Sequence, residues 1–369
     1  MISFQQSLAM ANHADSIPTS VRFTRDWQEE LRASIRPEDD ILIVCTKGIE
    51  SRGTLALAKR SLGLARKVSH LFALEMPDLH SLAENWDDVN ALQPNTLVAI
   101  GGGSAIDSAK AVELMLSCRS KEDFTKQVLV GKTKSSKKTK LIAIPTTAGS
   151  GSEVTSFATI WDRQEMVKRS IEGASLVPDA AILDPSLLGT LKGEKLLFPA
   201  LDAVSHSFES LWNTNRTKES THFAHEGLRN ADVALESYIQ GVPDLDSFVQ
   251  SSVHAGLAIA ITRTAIAHSI SYPLTLRFDV PHGLACSFAL PVIFDIARPV
   301  LALEKSDLQV IESVLSRIES LDLPRLLRNY CTNTEVLILL DQMTSLGRSN
   351  NFLFSISQNQ LEQIVNASI

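Results

Sequence analysis

Asp202 and His206 stand four residues apart in ALDAVSHSFESLWN, residues 200–213. On a helix that spacing puts both side chains on one face. His268 lies within the apolar run AIAHSISYP at 265–273, and His282 follows a proline in VPHGL at 280–284. An imidazole buried without a partner costs free energy, so His268 needs one. One carboxylate and three imidazoles are hard-to-borderline donors, suited to Fe²⁺, Zn²⁺ or a similar divalent ion. The same residues admit a plainer reading, with each His a core residue holding a local hydrogen bond and Asp202 a helix N-cap. The chain has 9 histidines, so some pairs at helical spacing arise by chance.

Two loops point to a second chemistry. Residues 97–110 read LVAIGGGSAIDSAK, an apolar run, then Gly101, Gly102, Gly103 and Ser104, then a helical pattern. Glycines let the backbone approach a diphosphate closely, and a helix start offers it N–H groups and partial positive charge. The spacing differs from the usual G-x-G-x-x-G fingerprint, and a tight turn with no ligand would read the same way. Asp107 and Lys110, three apart on that helix, can pair with each other. Residues 145–155, PTTAGSGSEVT, follow another apolar run. There Thr146, Thr147 and backbone N–H groups can hydrogen-bond phosphate or ribose, while Ser152–Glu153 also reads as a helix start. Two such loops together favour a joint phosphate site, because ligands of open α/β sheets bind at the carboxyl ends of strands.

These residues need elements to position them. Residues 41–45, 97–100, 141–144 and 180–183 read as buried strands alternating with helical patterns, which predicts a parallel sheet with crossovers. Beyond about residue 190, apolar segments at helical spacing dominate, most clearly at 253–272 and 307–320. The chain thus divides into an α/β domain at 1–187 and an all-helical domain at 188–369. It carries 35 Lys plus Arg against 42 Asp plus Glu, with 44% hydrophobic and 21% charged residues. That composition excludes a disordered chain and argues against a nucleic-acid partner. Cys45, Cys118, Cys286 and Cys331 form no C-x-x-C pair, so neither a disulfide framework nor a zinc ribbon is read and a reduced, cytoplasmic setting is expected. MISFQQSLAMANHADS does not read as a signal peptide, and no membrane helix is expected. The five lysines of GKTKSSKKTK, 131–140, read as a solvated loop, with contact to a polyanion or cofactor phosphate as the lesser reading.

Taken together, these segments resemble the iron-containing (group III) alcohol dehydrogenase family. The resemblance rests on GGGSAIDSAK at 101–110, PTTAGSGSEVT at 145–155, the Lys168 segment before ILDP, ALDAVSHSFES at 200–210, His268 and PHG at 281–283. It implies a Rossmann-like dinucleotide-binding domain and a helical metal- and substrate-binding domain, with NAD(P) and substrate meeting between them. It implies metal ligation by Asp202, His206, His268 and His282, with Fe²⁺, Zn²⁺ and Mn²⁺ all admissible. It places the diphosphate on Gly101, Gly102, Gly103 and Ser104 beside Asp107, with Thr146, Thr147 and Ser150 lining the cofactor and Lys168 near its ribose. Glu209, one turn after His206, becomes a candidate to orient a ligand. A homo-oligomer, a dimer, is also implied.

Two departures from the family pattern matter. Many members carry a second His four residues after the third ligand, near the nicotinamide; here that position is Tyr272. Tyr272 and His268 are the residues given catalytic roles, although the ordinary pKa of a tyrosine near 10 makes Tyr272 a poor base at neutral pH. NAD-preferring members end the first strand with an Asp that holds the ribose; here Thr46 takes the place, followed by Lys47, which favours NADPH over NADH. ESLWN at 209–213, ITRTAIAHSISYPLT at 261–275 and VPHGLACSF at 280–288 are most similar to the phosphonoacetaldehyde reductases within the family. This implies reduction of a small anionic aldehyde, with sulfoacetaldehyde reductase and broad-range primary alcohol dehydrogenase as alternatives. A lyase of the dehydroquinate synthase type and a non-catalytic binding protein are remote ones. Arg263, five residues before His268, and Asn213, seven after His206 and so near two turns along the ligand face, are the expected holders of the anion. Arg216, Lys218 and Arg277 are further candidates. Surface charge for the cations and a helix C-cap for Asn213 are the competing roles.

Overall fold

The computed structural model describes residues 18–133, 136–344 and 348–369. The N-terminal stretch read for a signal peptide, and Lys134 and Ser135 of the lysine run, lie outside them. The chain divides into two compact units, one running to Thr147 and resuming over Ser152–Leu187, the other made of Ala148–Gly151 and Leu188–Ile369.

The first unit is built on parallel strands β1 (Ser20–Phe23), β2 (Asp40–Thr46), β3 (Lys67–Ala73), β4 (Thr96–Gly101), β5 (Lys140–Pro145) and β8 (Ala180–Leu183), in spatial order β1-β8-β5-β4-β2-β3. The hairpin β6 (Phe157–Asp162) and β7 (Val167–Glu172) stands apart as an antiparallel pair. The central strands read as unbroken apolar runs because both faces are covered. Leu42, Val44, Leu97, Ala99, Leu141 and Ala143 enter one core. Ile41, Ile43, Cys45, Val98, Ile100, Ile142 and Ile144 enter the other. The helices of this unit are α1 (Trp27–Ala33), α2 (Lys47–Ser51), α3 (Thr54–Ser61), α4 (Leu79–Glu84), α5 (Trp86–Leu92), α6 (Gly103–Ser117) and α7 (Lys121–Val130). The lysine run is partly tied down: Lys137 pairs with Asp179 at 2.9 Å, Lys140 Nζ donates to the Ser34 carbonyl at 2.5 Å, and buried Glu113 accepts from Lys138 N and from Thr139.

The second unit contains α8 (Glu194–Leu211), α9 (Lys218–Ile239), α10 (Leu245–Thr262), α11 (Ile266–Phe278), α12 (His282–Ser287), α13 (Leu290–Ala297), α14 (Lys305–Ser320), α15 (Leu323–Leu327), α16 (Asn333–Ile338) and α17 (Gln358–Ser368). Helix α8 packs against α9, α10 and α12. The apolar stretch 253–272 is two helices rather than one: α10 stops at Thr262, and Arg263 turns the chain at φ +67° before α11 begins. His282–Val300 has the length and composition of a membrane span, but 61% of it is packed inside this unit and the chain turns between α12 and α13. It forms part of the core.

Candidate functional site

Helix α8 carries Asp202, His206 and Glu209 at successive turns, all three buried. Asp202 therefore sits mid-helix, not at an N-cap. Its Oδ1 lies 3.3 Å from His206 Nε2, 3.3 Å from His268 Nε2 and 3.9 Å from His282 Nε2. His268 comes from the first turn of α11 and His282 from the start of α12. The His206 and His268 rings stack, with centroids 4.8 Å apart and planes at 16°. Four donors held at about 2.1 Å by one tetrahedral ion would stand about 3.4 Å from each other. The distances from Asp202 fit that, and His268 Nε2 is buried with no hydrogen bond of its own. The residues suit a divalent ion.

The sequence reading missed Cys286. Its thiol lies 3.6 Å from Asp202 Oδ1, and donor atoms of Asp202, His268, His282 and Cys286 all fall within 4.8 Å of one another. Its signal was the four-residue step from His282. His206 and Cys286 thus compete to complete the set. Burial pushes the His206 imidazole down to about 4 against the pull of Asp202, so the ring is neutral with a lone pair available. Burial and Asp202 push the Cys286 thiol well above its ordinary value. Burial opposes the Asp202 charge, but His206, His282 and His268 outweigh it and hold the carboxyl far below the usual range.

Glu209, with 0% exposure, fixes His268. Its Oε2 lies 2.6 Å from His268 Nδ1 and its Oε1 accepts from His268 N at 3.1 Å. With Nδ1 held by the carboxylate, Nε2 is the nitrogen aimed at the site. Gly283 brings α12 against α8: a Cβ there would sit 1.7 Å from the Phe198 carbonyl oxygen and 3.1 Å from Asp202 N. Tyr272, one turn beyond His268, lies parallel to the His282 ring at 6.3 Å and edge-on to His268 at 6.5 Å. His282 is the most exposed of the four, its side chain 31% accessible, so the site opens on that side.

The expected phosphate turn lies in the first unit. Gly102 is the N-cap of α6 and supplies no side-chain cap; Ala105 N donates to the Gly102 carbonyl at 3.1 Å, which leaves the Gly103 and Ser104 N–H groups for another acceptor. Thr146 N donates to the Gly101 carbonyl at 2.9 Å, and a Cβ on Gly102 would meet Thr147 Oγ1 at 2.8 Å. Gly101, Gly102, Thr146 and Thr147 are therefore brought together. Ser104 Oγ donates to the Glu75 carbonyl. Asp107 accepts from Ser152 Oγ and, at 2.8 Å, from Thr159 N, while Lys110 donates to Ser152, Thr155 and the Phe157 carbonyl. Asp107 and Lys110 thus both clasp the Ser152–Thr155 segment and β6. Lys168, on β7, holds its ammonium 5.7 Å from the Trp161 ring centre. Ser150 belongs to the second unit. The glycines flanking it serve close packing there, since a Cβ on Gly149 would meet the Pro199 carbonyl and one on Gly151 the Gly256 Cα, each at 2.3 Å.

The residues expected to hold an anion are placed differently from the sequence reading. Helix α8 ends at Leu211, so Asn213 lies past it and off its ligand face. Its Nδ2 donates to the Arg263 carbonyl at 3.1 Å and its Oδ1 accepts from Asn215 N at 2.9 Å. Arg263 Nη1 donates to the Ala260 carbonyl at 2.9 Å, and Arg216 Nη1 to the Leu211 carbonyl at 3.2 Å. Asn213 and Arg263 together secure the α10–α11 turn from which His268 departs.

Several known proteins resemble this chain. A phosphonoacetaldehyde reductase of Streptomyces viridochromogenes is 35% identical over 275 residues, 72% of this chain and 62% of that protein. An aldehyde-alcohol dehydrogenase of Streptococcus pneumoniae is 30% identical over 297 residues, 75% of this chain and 33% of that protein. The chain thus spans less than two thirds of either relative. An iron-containing alcohol dehydrogenase of Thermococcus thioreducens shares the fold with a TM-score of 0.81 at 22% identity, covering 95% of this chain and 98% of that one. A sulfoacetaldehyde reductase of Bifidobacterium kashiwanohense in complex with NAD+ shares it with a TM-score of 0.79 at 22% identity, covering 95% and 97%. Residues 18–185 match the family described as iron-containing alcohol dehydrogenase, and residues 198–338 match the C-terminal region of the Fe-containing alcohol dehydrogenase family. With both halves matched and the four-residue donor cluster formed, the chain belongs to the iron-containing alcohol dehydrogenase family.

Proposed function

We propose that this protein is a metal-dependent, NADPH-preferring reductase of a small anionic aldehyde, converting phosphonoacetaldehyde to 2-hydroxyethylphosphonate. The observation that carries the reductase reading is the convergence of three imidazoles on Asp202 Oδ1. Similarity to the Streptomyces phosphonoacetaldehyde reductase supports the substrate. The four free, buried cysteines accord with a cytoplasmic setting.

Asp202, His206, His268 and His282 would hold the metal. When bound, the divalent ion polarises a carbonyl oxygen and the reduced nicotinamide supplies the hydride. Glu209 orients His268, and Gly283 allows α12 to present His282. Tyr272 packs along His282 with its hydroxyl buried, and so backs the His282 ring. The glycine turn and the first turn of α6 would receive the cofactor diphosphate.

A neutral-aldehyde dehydrogenase is the second reading, favoured by the commitment of Asn213 and Arg263 to backbone carbonyls. The test is reduced-nicotinamide consumption by Fe²⁺-loaded protein with phosphonoacetaldehyde, sulfoacetaldehyde and propanal in parallel. A kcat/KM for phosphonoacetaldehyde far above that for propanal supports the anionic reading. Equal values remove it and leave the dehydrogenase. No turnover of any aldehyde with metal bound removes both.

A further inference from the structure

We infer that Cys286 is a positioning residue of the metal centre: its thiol donates a hydrogen bond to Asp202 Oδ1 from outside the coordination sphere and holds that oxygen toward the three imidazoles. The inference rests on the metal-centre reading proposed above, with His206 as the fourth ligand.

The acceptor of this thiol sets it apart. Cys118 Sγ donates to the Leu114 carbonyl at 3.2 Å and Cys331 Sγ to the Leu327 carbonyl at 4.0 Å, each four residues back along the chain. Cys286 Sγ instead reaches from α12 across to α8, 3.6 Å from Asp202 Oδ1. The Gly283 carbonyl is equally distant. That carbonyl already accepts from Ser287 Oγ at 2.6 Å, and a carboxylate is the stronger acceptor. The thiol proton therefore goes to Asp202.

Cys286 is tied to α8 at a second point. Its carbonyl accepts from Ser205 Oγ at 3.1 Å, and Ser205 stands three residues after Asp202 on the same helix. Both residues are buried. The four-residue step from His282 puts ligand and thiol on one face of α12, so the same face presents an imidazole and braces the carboxylate. The pocket they share is built for an ion: His268 Nε2, in a side chain 2% exposed, has no hydrogen bond of its own. A buried polar atom left in that state calls for a partner.

A carboxylate oxygen has two lone pairs. With one taken by the thiol proton, Oδ1 still offers the other to an ion, while the carboxylate is kept from swinging its second oxygen into the same place. Cys286 thus does for Asp202 what Glu209 does for His268.

The test uses the intact protein with and without Co²⁺. The S–H stretch falls in a clear window of the infrared spectrum, and subtracting the Cys286→Ser spectrum isolates the Cys286 band. That band is expected below the frequency of a thiol with no acceptor, and it should survive Co²⁺ loading. By competition with a chelator, Cys286→Ala should bind Co²⁺ about tenfold more weakly, the low end for such a partner because a thiol is a weak donor. Cys286→Ser, which keeps a donor, should recover most of that loss. A band that vanishes on Co²⁺ loading would make the thiol a ligand and overturn the inference while the metal centre stands. So would a folded Cys286→Ala variant with full affinity, or equal losses in the Ala and Ser variants, either of which leaves Cys286 a packing role alone. If the parent takes up no divalent ion, the metal-centre reading itself fails, and the inference with it.

Discussion

His268 presents both its backbone N–H and its ring Nδ1 to a single carboxylate, that of Glu209, at 3.1 and 2.6 Å. The pair is buried, with side chains 2% and 0% exposed. Two bonds to one rigid helix fix the ring's position and its tautomer, and leave Nε2 facing Asp202. Glu209 touches no reacting atom in this arrangement and acts through His268.

Glu209→Gln should therefore weaken the metal rather than the fold. The amide keeps the shape but loses the charge that makes the imidazole a better donor. The expected loss is about 10- to 100-fold in metal affinity, read by competition with a chelator, with the helical circular dichroism spectrum retained. Unchanged metal affinity in a folded variant would show that Glu209 only packs.

His206 and Cys286 make opposite predictions about the fourth donor. With His206 as ligand, His206→Ala should lose metal and Cys286→Ser should keep it. Cobalt substitution separates the two cases spectroscopically. The expected spectrum lacks a sulfur-to-metal charge-transfer band, and a band that vanishes in Cys286→Ser would put the thiol in the coordination sphere instead.

Gly283→Ala tests the close approach of α12 to α8. The added Cβ would meet backbone at 1.7 Å, and neither helix can yield without shifting His282 or Asp202. The expected outcome is loss of bound metal by mass spectrometry, together with a destabilisation of a few kcal/mol, as for an overpacked core. Full metal content in this variant would mean that His282 is not needed to hold the ion.

How much of this was legible in the sequence depended on burial. Strands β2, β4, β5 and β8 could be read because both faces are covered and their apolar runs are unbroken. Strand β1 lies at one sheet edge with only Val21 buried, and β3 exposes Lys67 and His70 at the other, so neither gives a clean pattern. The hairpin β6–β7 was missed as well; it packs through β6 onto α6 and exposes Val167. The donor set was legible as residue types and spacing, because a helix converts a four-residue step into a shared face. The end of α8 was not. No glycine or proline marks it, and Trp212 is held by stacking on Phe208 and by edge contact with Phe352 from far along the chain. Asn213 fell off the expected face for that reason.

Asn213→Ala is consequently expected to act on stability. It leaves the Asn215 N–H without its partner, at about 1–3 kcal/mol for that group, while the Arg263 carbonyl keeps the Thr262 hydroxyl at 3.0 Å. A lower Tm with KM for the aldehyde unchanged is the expected pattern. A raised KM at unchanged Tm would return Asn213 to the substrate site.

Glu153 gives a pH-dependent prediction in the first unit. Its side chain is buried, 2% exposed, and burial pushes its carboxyl from 4.5 up to about 7, Lys110 pulling it down and Asp107 raising it. Unfolded, the same carboxyl titrates near its ordinary value. Between about pH 4.5 and 7 the native state therefore holds a proton that the unfolded state has lost. Stability falls with rising pH across that window, and the loss is complete above it. The shift corresponds to about 3 kcal/mol at most. Glu153→Gln cannot titrate, so the variant should match the parent near pH 4.5 and exceed it by about 1–3 kcal/mol at pH 8. Thermal unfolding of both proteins across this range checks the difference. Parallel profiles would mean that Glu153 ionises inside the fold as readily as outside it, held by the Lys110 ammonium.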